Sequence, residues 1–225
     1  MLDDKIKKVK NKAVILLSGG IDSVTTLYLA LKKRYRLTAL IFDYGQRHKK
    51  EINYAKKIAK LNHVKYYLLK GYLPWVNSSL TKKSITVAKN RNLKKKIIPL
   101  TYVAGRNIVF LSYAFSLAES IKAQAIFIGA HIQDYSGYPD CRPKFLKKIQ
   151  IAANAGLKED KIKVIAPLLN KSKRDIIRIG IRLGVPFEYT WSCYEGAAKP
   201  CLKCDSCRFR IQSFKALGLK DPLLV

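Results

Sequence analysis

Ala13-Val14-Ile15-Leu16-Leu17-Ser18-Gly19-Gly20-Ile21-Asp22-Ser23 reads as a strand, a tight glycine loop and the start of a helix. The apolar run is short and unbroken, as in a strand covered on both faces. Backbone N–H groups at the N-terminus of the following helix, joined by the hydroxyls of Ser18 and Ser23, make an anion site. Gly19 and Gly20 carry no Cβ, so the backbone can come close to a phosphate. Asp22 is placed to meet Mg²⁺ or to cap the helix. The stretch lacks the G-x-x-x-x-G-K-[ST] form that cradles β- and γ-phosphates.

Outward from this loop the chain alternates strand and helix. Strands are predicted over 14–17, 37–42, 65–69, 125–129 and 163–165, and helices over 23–33, 47–61, 106–121, 144–155, 171–183 and 205–217. Such alternation argues for an α/β fold with a doubly wound, mostly parallel sheet. Ligands of these sheets bind beyond the strand C-termini, where residues 18–23, 43–48 and 130–142 fall. Residues 71–100 are poor in periodic pattern, as expected of either a lid or a surface insertion.

The chain has 225 residues, of which 48% are hydrophobic, enough for one substantial core. We read residues 1–187 as the α/β domain and 188–225 as a C-terminal segment packed on it. No apolar run reaches the ~18–20 residues of a membrane span. The charged start, Met1-Leu2-Asp3-Asp4-Lys5, is unlike a signal peptide, and a cytoplasmic location is expected. Forty-four basic residues against 15 acidic ones give a net charge of +29. That balance suits a nucleic-acid surface, with Lys94-Lys95-Lys96 as one run. It equally suits lysines spread over solvated helix faces, and pairs such as Lys32-Lys33, Lys56-Lys57 and Lys147-Lys148 are spread in that way. With no nucleic-acid-binding signature present, no specific nucleic-acid partner is expected.

Four of the five cysteines, Cys193, Cys201, Cys204 and Cys207, lie close together near the C-terminus. The spacing brings four thiolates around one point and suits tetrahedral Zn²⁺ in a closed, structural site. An iron–sulfur cluster would use the same ligands. Cys141 stands apart, beside Arg142, as either a reactive thiol or an inert buried one.

The S-G-G-x-D-S loop resembles the pyrophosphate loop of the N-type ATP pyrophosphatases, which hold ATP for attack at the α-phosphate. Over nearly the whole chain the sequence resembles the 7-cyano-7-deazaguanine synthase family of that superfamily. The shared blocks are Leu17–Ser23 itself, Phe42-Asp43-Tyr44-Gly45-Gln46-Arg47-His48, Val103-Ala104-Gly105-Arg106-Asn107, Asp134-Tyr135-Ser136-Gly137-Tyr138-Pro139-Asp140-Cys141-Arg142, and Thr190-Trp191-Ser192-Cys193-Tyr194 with the cysteine tail. The chain departs from the family at Val24, in place of a threonine, which puts one phosphate contact in doubt. It also departs at Ala104, in place of a proline, and at His131, in place of an asparagine.

The resemblance implies ATP-dependent conversion of 7-carboxy-7-deazaguanine and ammonia to 7-cyano-7-deazaguanine, a queuosine or archaeosine precursor, through adenylated acid and amide. It implies an ATP site of Leu17, Ser18, Gly19, Gly20, Ile21, Asp22, Ser23, Asp43 and Gly105, with Mg²⁺. Ser18, Asp22, Ser23 and Arg106 are the candidate catalytic residues, although Arg106 could instead anchor a helix start. Tyr44, Gln46, Asp134, Tyr138, Asp140 and Arg142 are the candidates for reading the substrate. The carboxylates would accept from the deazapurine amine, the rings would cover its face, and Arg142 would meet its carboxylate. His48 and His131 either handle protons or serve structure. No glutaminase signature is present, so free ammonia is the expected donor. Homologous enzymes often self-associate, but no heptad or interface strand marks a homo-oligomer here. A tRNA-modifying member of the superfamily, of thiolation or conjugation type, is the alternative. It lacks support from cysteines in the ATP domain or from an appended RNA-binding domain.

Overall fold

In the computed structural model, which describes residues 10–92, 98–131, 137–159 and 161–224, β1 (Lys10–Leu16) lies at the middle of a five-stranded sheet. Its neighbours are β2 (Tyr35–Asp43) and β4 (Ala125–Phe127). β3 (Lys65–Lys70) and β5 (Lys163–Ile165) form the outer strands, giving the order β3-β2-β1-β4-β5. Every pairing is parallel. The alternation of side chains along a strand divides the core cleanly in two. Ala13, Ile15, Leu17, Ala39, Ile41 and Phe127 join one apolar cluster, whereas Val14, Leu16, Leu40, Ile126 and Ile128 join the cluster on the opposite face. Each buried Val, Leu, Ile or Phe side chain among these contributes about 1.5–3 kcal/mol of transfer free energy.

The first face is covered by α1 (Ile21–Lys32), α2 (Lys50–Leu61), α5 (Lys173–Arg182) and α6 (Asp205–Lys215), and the second by α3 (Arg106–Ser120) and α4 (Pro143–Asn154). α1 buries Ile21, Val24, Leu27 and Ala30, a spacing that keeps one stripe on the sheet. Val24 has no exposed surface and packs in this core. Val24 therefore packs toward the sheet and does not line the cleft.

Two helices begin later than their sequence pattern indicates. α2 starts at Lys50 rather than at 47, because the fully buried Gln46 side chain holds residues 42–46 in a turn. α5 starts at Lys173 rather than at 171, set by a capping box in which Ser172 Oγ accepts from Asp175 N and Asp175 Oδ2 accepts from Ser172 N. That start places Lys173 in the first turn.

The C-terminal segment is tied to the sheet domain by Arg210 and Asp221, both almost fully buried. Arg210 donates to the two Asp221 oxygens at 2.6 and 2.7 Å and to the carbonyls of Phe187 and Thr190. A buried pair with its remaining donors satisfied fixes geometry more surely than it adds stability. Residues 71–92, within the stretch expected to be a lid or a surface insertion, pack on both the sheet domain and the cysteine segment. Val76 and Leu80 pack with Tyr44 and Val103, and Val87 joins Trp191 and the cysteines. Arg47 donates to the carbonyls of Lys82 and Ile85, and Arg91 pairs with Asp205 at 2.7 Å. Among the described residues no helix is long and apolar enough to cross a membrane.

Candidate active site

The chain turns one way from β1 to β2 and β3, and the other way to β4 and β5, so the switch point of the sheet lies between β1 and β4. Residues 18–20 leave β1 at this point. Gly19 has φ +81°, and a Cβ placed on it would lie 2.4 Å from Glu51 O and 2.7 Å from Ala55 N. The residue is glycine because the loop presses on the backbone of α2. Gly20 is different: a Cβ there would meet Ser18 Oγ at 3.5 Å and Trp191 O at 3.6 Å, which are ordinary contacts. The hydroxyls cinch the loop, with Ser18 Oγ and Ser23 Oγ 3.0 Å apart, Ser18 N donating to Ser23 Oγ, and Ser23 Oγ donating to Gly20 O. Gly129, after β4, closes on the first turn of α1, where a Cβ would lie 2.9 Å from Ser23 N.

Asp22 is engaged by a residue that the sequence pattern did not single out. Lys173 Nζ donates to both of its carboxylate oxygens at 2.6 Å and lies 3.0 Å from His131 Nε2, which is itself 3.6 Å from Asp22 Oδ2. Burial pushes the Asp22 carboxyl up, but Lys173 and then His131 outweigh it and hold the group well below the usual carboxylate range.

The cleft above the strand ends is lined by Leu17, Ser18, Gly20, Ile21, Asp22 and Ser23 on one side. Tyr44, His48, Glu51, Arg106, Tyr138 and Cys141 line another part, and Lys173, Trp191 and Tyr194 complete the wall. Arg106 Nη1 donates to Tyr44 Oη at 3.2 Å, and its guanidinium stands over the Tyr44 and Phe110 rings. Burial pushes the Tyr44 phenol up to about 12 despite the nearby Arg106. Tyr138 Oη lies 2.9 Å from Thr101 Oγ1.

Other expected residues shape the cleft without lining it. Gln46 spends its amide on Tyr44 N, Phe42 O and Glu51 Oε1. Asp43 accepts from Gly45 N and Lys49 Nζ. Gly105, at φ +65°, turns the chain into α3. Asp140 is buried, and its Oδ2 accepts from Asn107 N at 2.9 Å, so its charge sits at the positive N-terminus of α3 instead of facing the cleft. Asn107 Nδ2 reaches Cys141 Sγ at 3.2 Å, which fits the inert reading of that thiol. Arg142 is exposed at the head of α4. Asp134, Tyr135, Ser136 and Lys94-Lys95-Lys96 lie outside the described residues.

The four clustered cysteines meet as their spacing implied. Their Sγ atoms all lie within 4.8 Å of one another, against about 3.8 Å across a tetrahedral Zn–thiolate site. Hydrogen bonds from Cys204 and Cys207, and then the N–H groups of Cys201 and Glu195, hold the Cys193 thiol well below its usual range. A soft, electron-rich cage of this kind can hold a metal ion. It is wired to the glycine loop, because Trp191 N donates to Gly19 O and the Trp191 indole N–H donates to Cys193 O, each at 2.9 Å.

A family model described as queuosine biosynthesis protein QueC matches residues 12–218. The 7-cyano-7-deazaguanine synthase of Microcystis aeruginosa is 50% identical over 222 residues, covering 95% of this chain and 96% of that protein. The protein of the same name from Gloeothece citriformis is 51% identical over 216 residues, covering 93% and 94%. Among solved structures, NMN synthetase from Francisella tularensis aligns with a TM-score of 0.52 at 16% identity, covering 94% of this chain and 79% of that one. A likeness at that identity is one of fold. The parallel sheet, the glycine loop at its switch point and the cysteine cage are thus found in a chain that belongs to the QueC family of queuosine biosynthesis proteins.

Proposed function

We propose that the chain uses ATP to convert 7-carboxy-7-deazaguanine and ammonia to 7-cyano-7-deazaguanine, a carbon–nitrogen ligation in queuosine or archaeosine precursor synthesis. The observation that carries this reading is the joining, in one cleft, of the Ser18–Ser23 anion loop and the Tyr44–Arg106–Tyr138 cluster, in a member of this family. A carboxylate is a poor electrophile. Transfer of AMP to its oxygen makes an acyl adenylate that ammonia displaces to an amide, and a second adenylation of the amide oxygen leads to the nitrile.

Gly20, Ile21, Ser18 and Ser23 hold the pyrophosphate, while Leu17 and Gly19 set the loop's path. Lys173 stands where negative charge builds at the α-phosphate, a preorganised donor of the kind that lowers such barriers. Oxygen donors of Asp22, Ser18 and Ser23 suit a hard cation. Mg²⁺ would hold the phosphates there, in competition with Lys173 for Asp22. Arg106 meets the substrate carboxylate, the role first given to Arg142. Tyr44 and Tyr138 flank the deazapurine, with Asp134 as acceptor for its amine. Asp43, Gln46, Gly105 and Asp140 position these groups. The cysteine cage holds structural Zn²⁺, which staples residues 188–225 to the α/β domain. We further assign the enzyme to the cytoplasm, with no specific nucleic-acid partner, and treat a homo-oligomer as compatible.

Acid-dependent exchange of pyrophosphate into ATP, measured without ammonia, tests the reading. Exchange that requires 7-carboxy-7-deazaguanine supports it, and exchange that requires tRNA instead overturns it.

A further inference from the structure

Making a nitrile from ammonia strips every proton from the nitrogen, so the cleft needs a proton acceptor. We propose that His48, paired with Glu51, is that acceptor. The inference rests on the reaction assigned above.

His48 is only 4% exposed and lines the cleft beside Glu51 and Tyr194. Its Nε2 lies 3.4 Å from Glu51 Oε1, while its Nδ1 is buried and has no hydrogen-bond partner among the described residues. The pair is held from behind. Glu51 Oε1 also accepts from Gln46 Nε2 at 3.1 Å, and the Gln46 amide is fixed by Phe42 O and Tyr44 N. The imidazole thus stands beside a carboxylate that is itself held by a third group.

The other titratable groups of the cleft are committed. Lys173 is bonded to Asp22, and His131 Nε2 faces Lys173. Tyr44 is pushed up to about 12 and carries the Arg106 hydrogen bond. Cys141 Sγ accepts from Asn107. Imidazole is the side chain whose ordinary range lies near neutral pH.

In the first round, ammonium gives a proton to the His48 imidazole. The freed lone pair forms the C–N bond, the adduct gives up a second N–H proton through the same group once the first has passed to solvent, and the C–O bond to AMP breaks with its electrons going to the phosphate oxygen, leaving the neutral amide. In the second round, the adenylated amide loses two N–H protons through the same group as its C–O bond breaks, leaving the C≡N bond and AMP. The protons pass to solvent between steps.

Separate assays of the two half-reactions of His48→Gln and His48→Asn test the proposal. Both variants lack a basic nitrogen, and Asn keeps a polar atom near the Nδ1 position. Acid-dependent pyrophosphate exchange is expected to stay within about threefold of wild type, while ammonia-dependent amide formation falls about 100-fold or more. Glu51→Gln should show the same split with a smaller loss. A parallel fall of exchange and amide formation in both His48 variants, or amide formation near the wild-type rate, overturns the assignment. Wild-type enzyme without acid-dependent exchange would instead remove the underlying reaction, and this inference with it.

Discussion

Lys173 Nζ sits 2.6 Å from each carboxylate oxygen of Asp22, joining the first turn of α5 to the first turn of α1 across 151 residues of chain. The pair holds a cation beside the Ser18–Ser23 loop, where the proposed function places the phosphates of ATP. Lys173→Met should reduce acid-dependent pyrophosphate exchange by about 100-fold or more, the scale seen when one preorganised donor is removed. It should also lower stability by about 2 kcal/mol by leaving the Asp22 carboxylate without its charged partner. Because the folded-state pKa of Asp22 is depressed, its contribution is fully present above the unfolded value of about 3.9 and is lost as pH falls below it. Urea titrations between about pH 3 and 7 should show a weaker acid dependence in Lys173→Met than in wild type, and equal slopes would contradict the assignment.

Lys173 also shows where sequence reading stopped. In a chain with 44 basic residues, a lysine in the run Lys171-Ser172-Lys173 carries no mark of its own, and its partner is distant in sequence. The capping box at Ser172 was a readable local signal for its position in the first turn. The inner strands β1, β2 and β4 were legible because buried parallel strands leave largely apolar runs, the half-exposed outer strands β3 and β5 because they fall in turn in the strand–helix alternation, and the cysteine cage because its ligands are close in sequence. By contrast, the role of Asp140 at the head of α3 depends on a partner supplied by another element. Periodicity gives no sign of such a contact.

The two loop glycines should separate folding from binding. Gly19→Ala places a Cβ against Glu51 O at φ +81° and is expected to cost about 2 kcal/mol or more in stability. Gly20→Ala has room for its methyl and should melt near wild type while binding ATP more weakly. Calorimetric melting beside nucleotide titration reads both, and equal destabilisation by the two variants would contradict the geometry.

Removal of the cage metal should be felt at the ATP loop. Purified protein is expected to carry about one Zn²⁺ per chain, and Cys204→Ser to lose it. Because Trp191 ties Cys193 to Gly19, ATP affinity should fall together with Tm. Metal analysis, thermal melting and ATP titration on the same samples would expose a cage that is independent of the loop: a demetallated protein with unchanged ATP affinity.

Asp140→Asn keeps the shape at the head of α3 but removes the charge facing its first N–H groups. A stability loss of about 1 kcal/mol is expected, with KM for the acid rising several-fold because Arg106 adjoins the Asn107 contact. Unchanged stability with lost turnover would instead return Asp140 to direct contact with the substrate.

The proposed reaction runs two adenylations at one loop. It is tested most directly by mass spectrometry of the product from 7-carboxy-7-deazaguanine, ¹⁵N-ammonium and ATP, with the released nucleotide counted in the same reaction. The expected product is ¹⁵N-labelled 7-cyano-7-deazaguanine with about two AMP and two pyrophosphate per nitrile. Release of ADP and phosphate, or AMP formation that needs tRNA and leaves the acid unchanged, would contradict it.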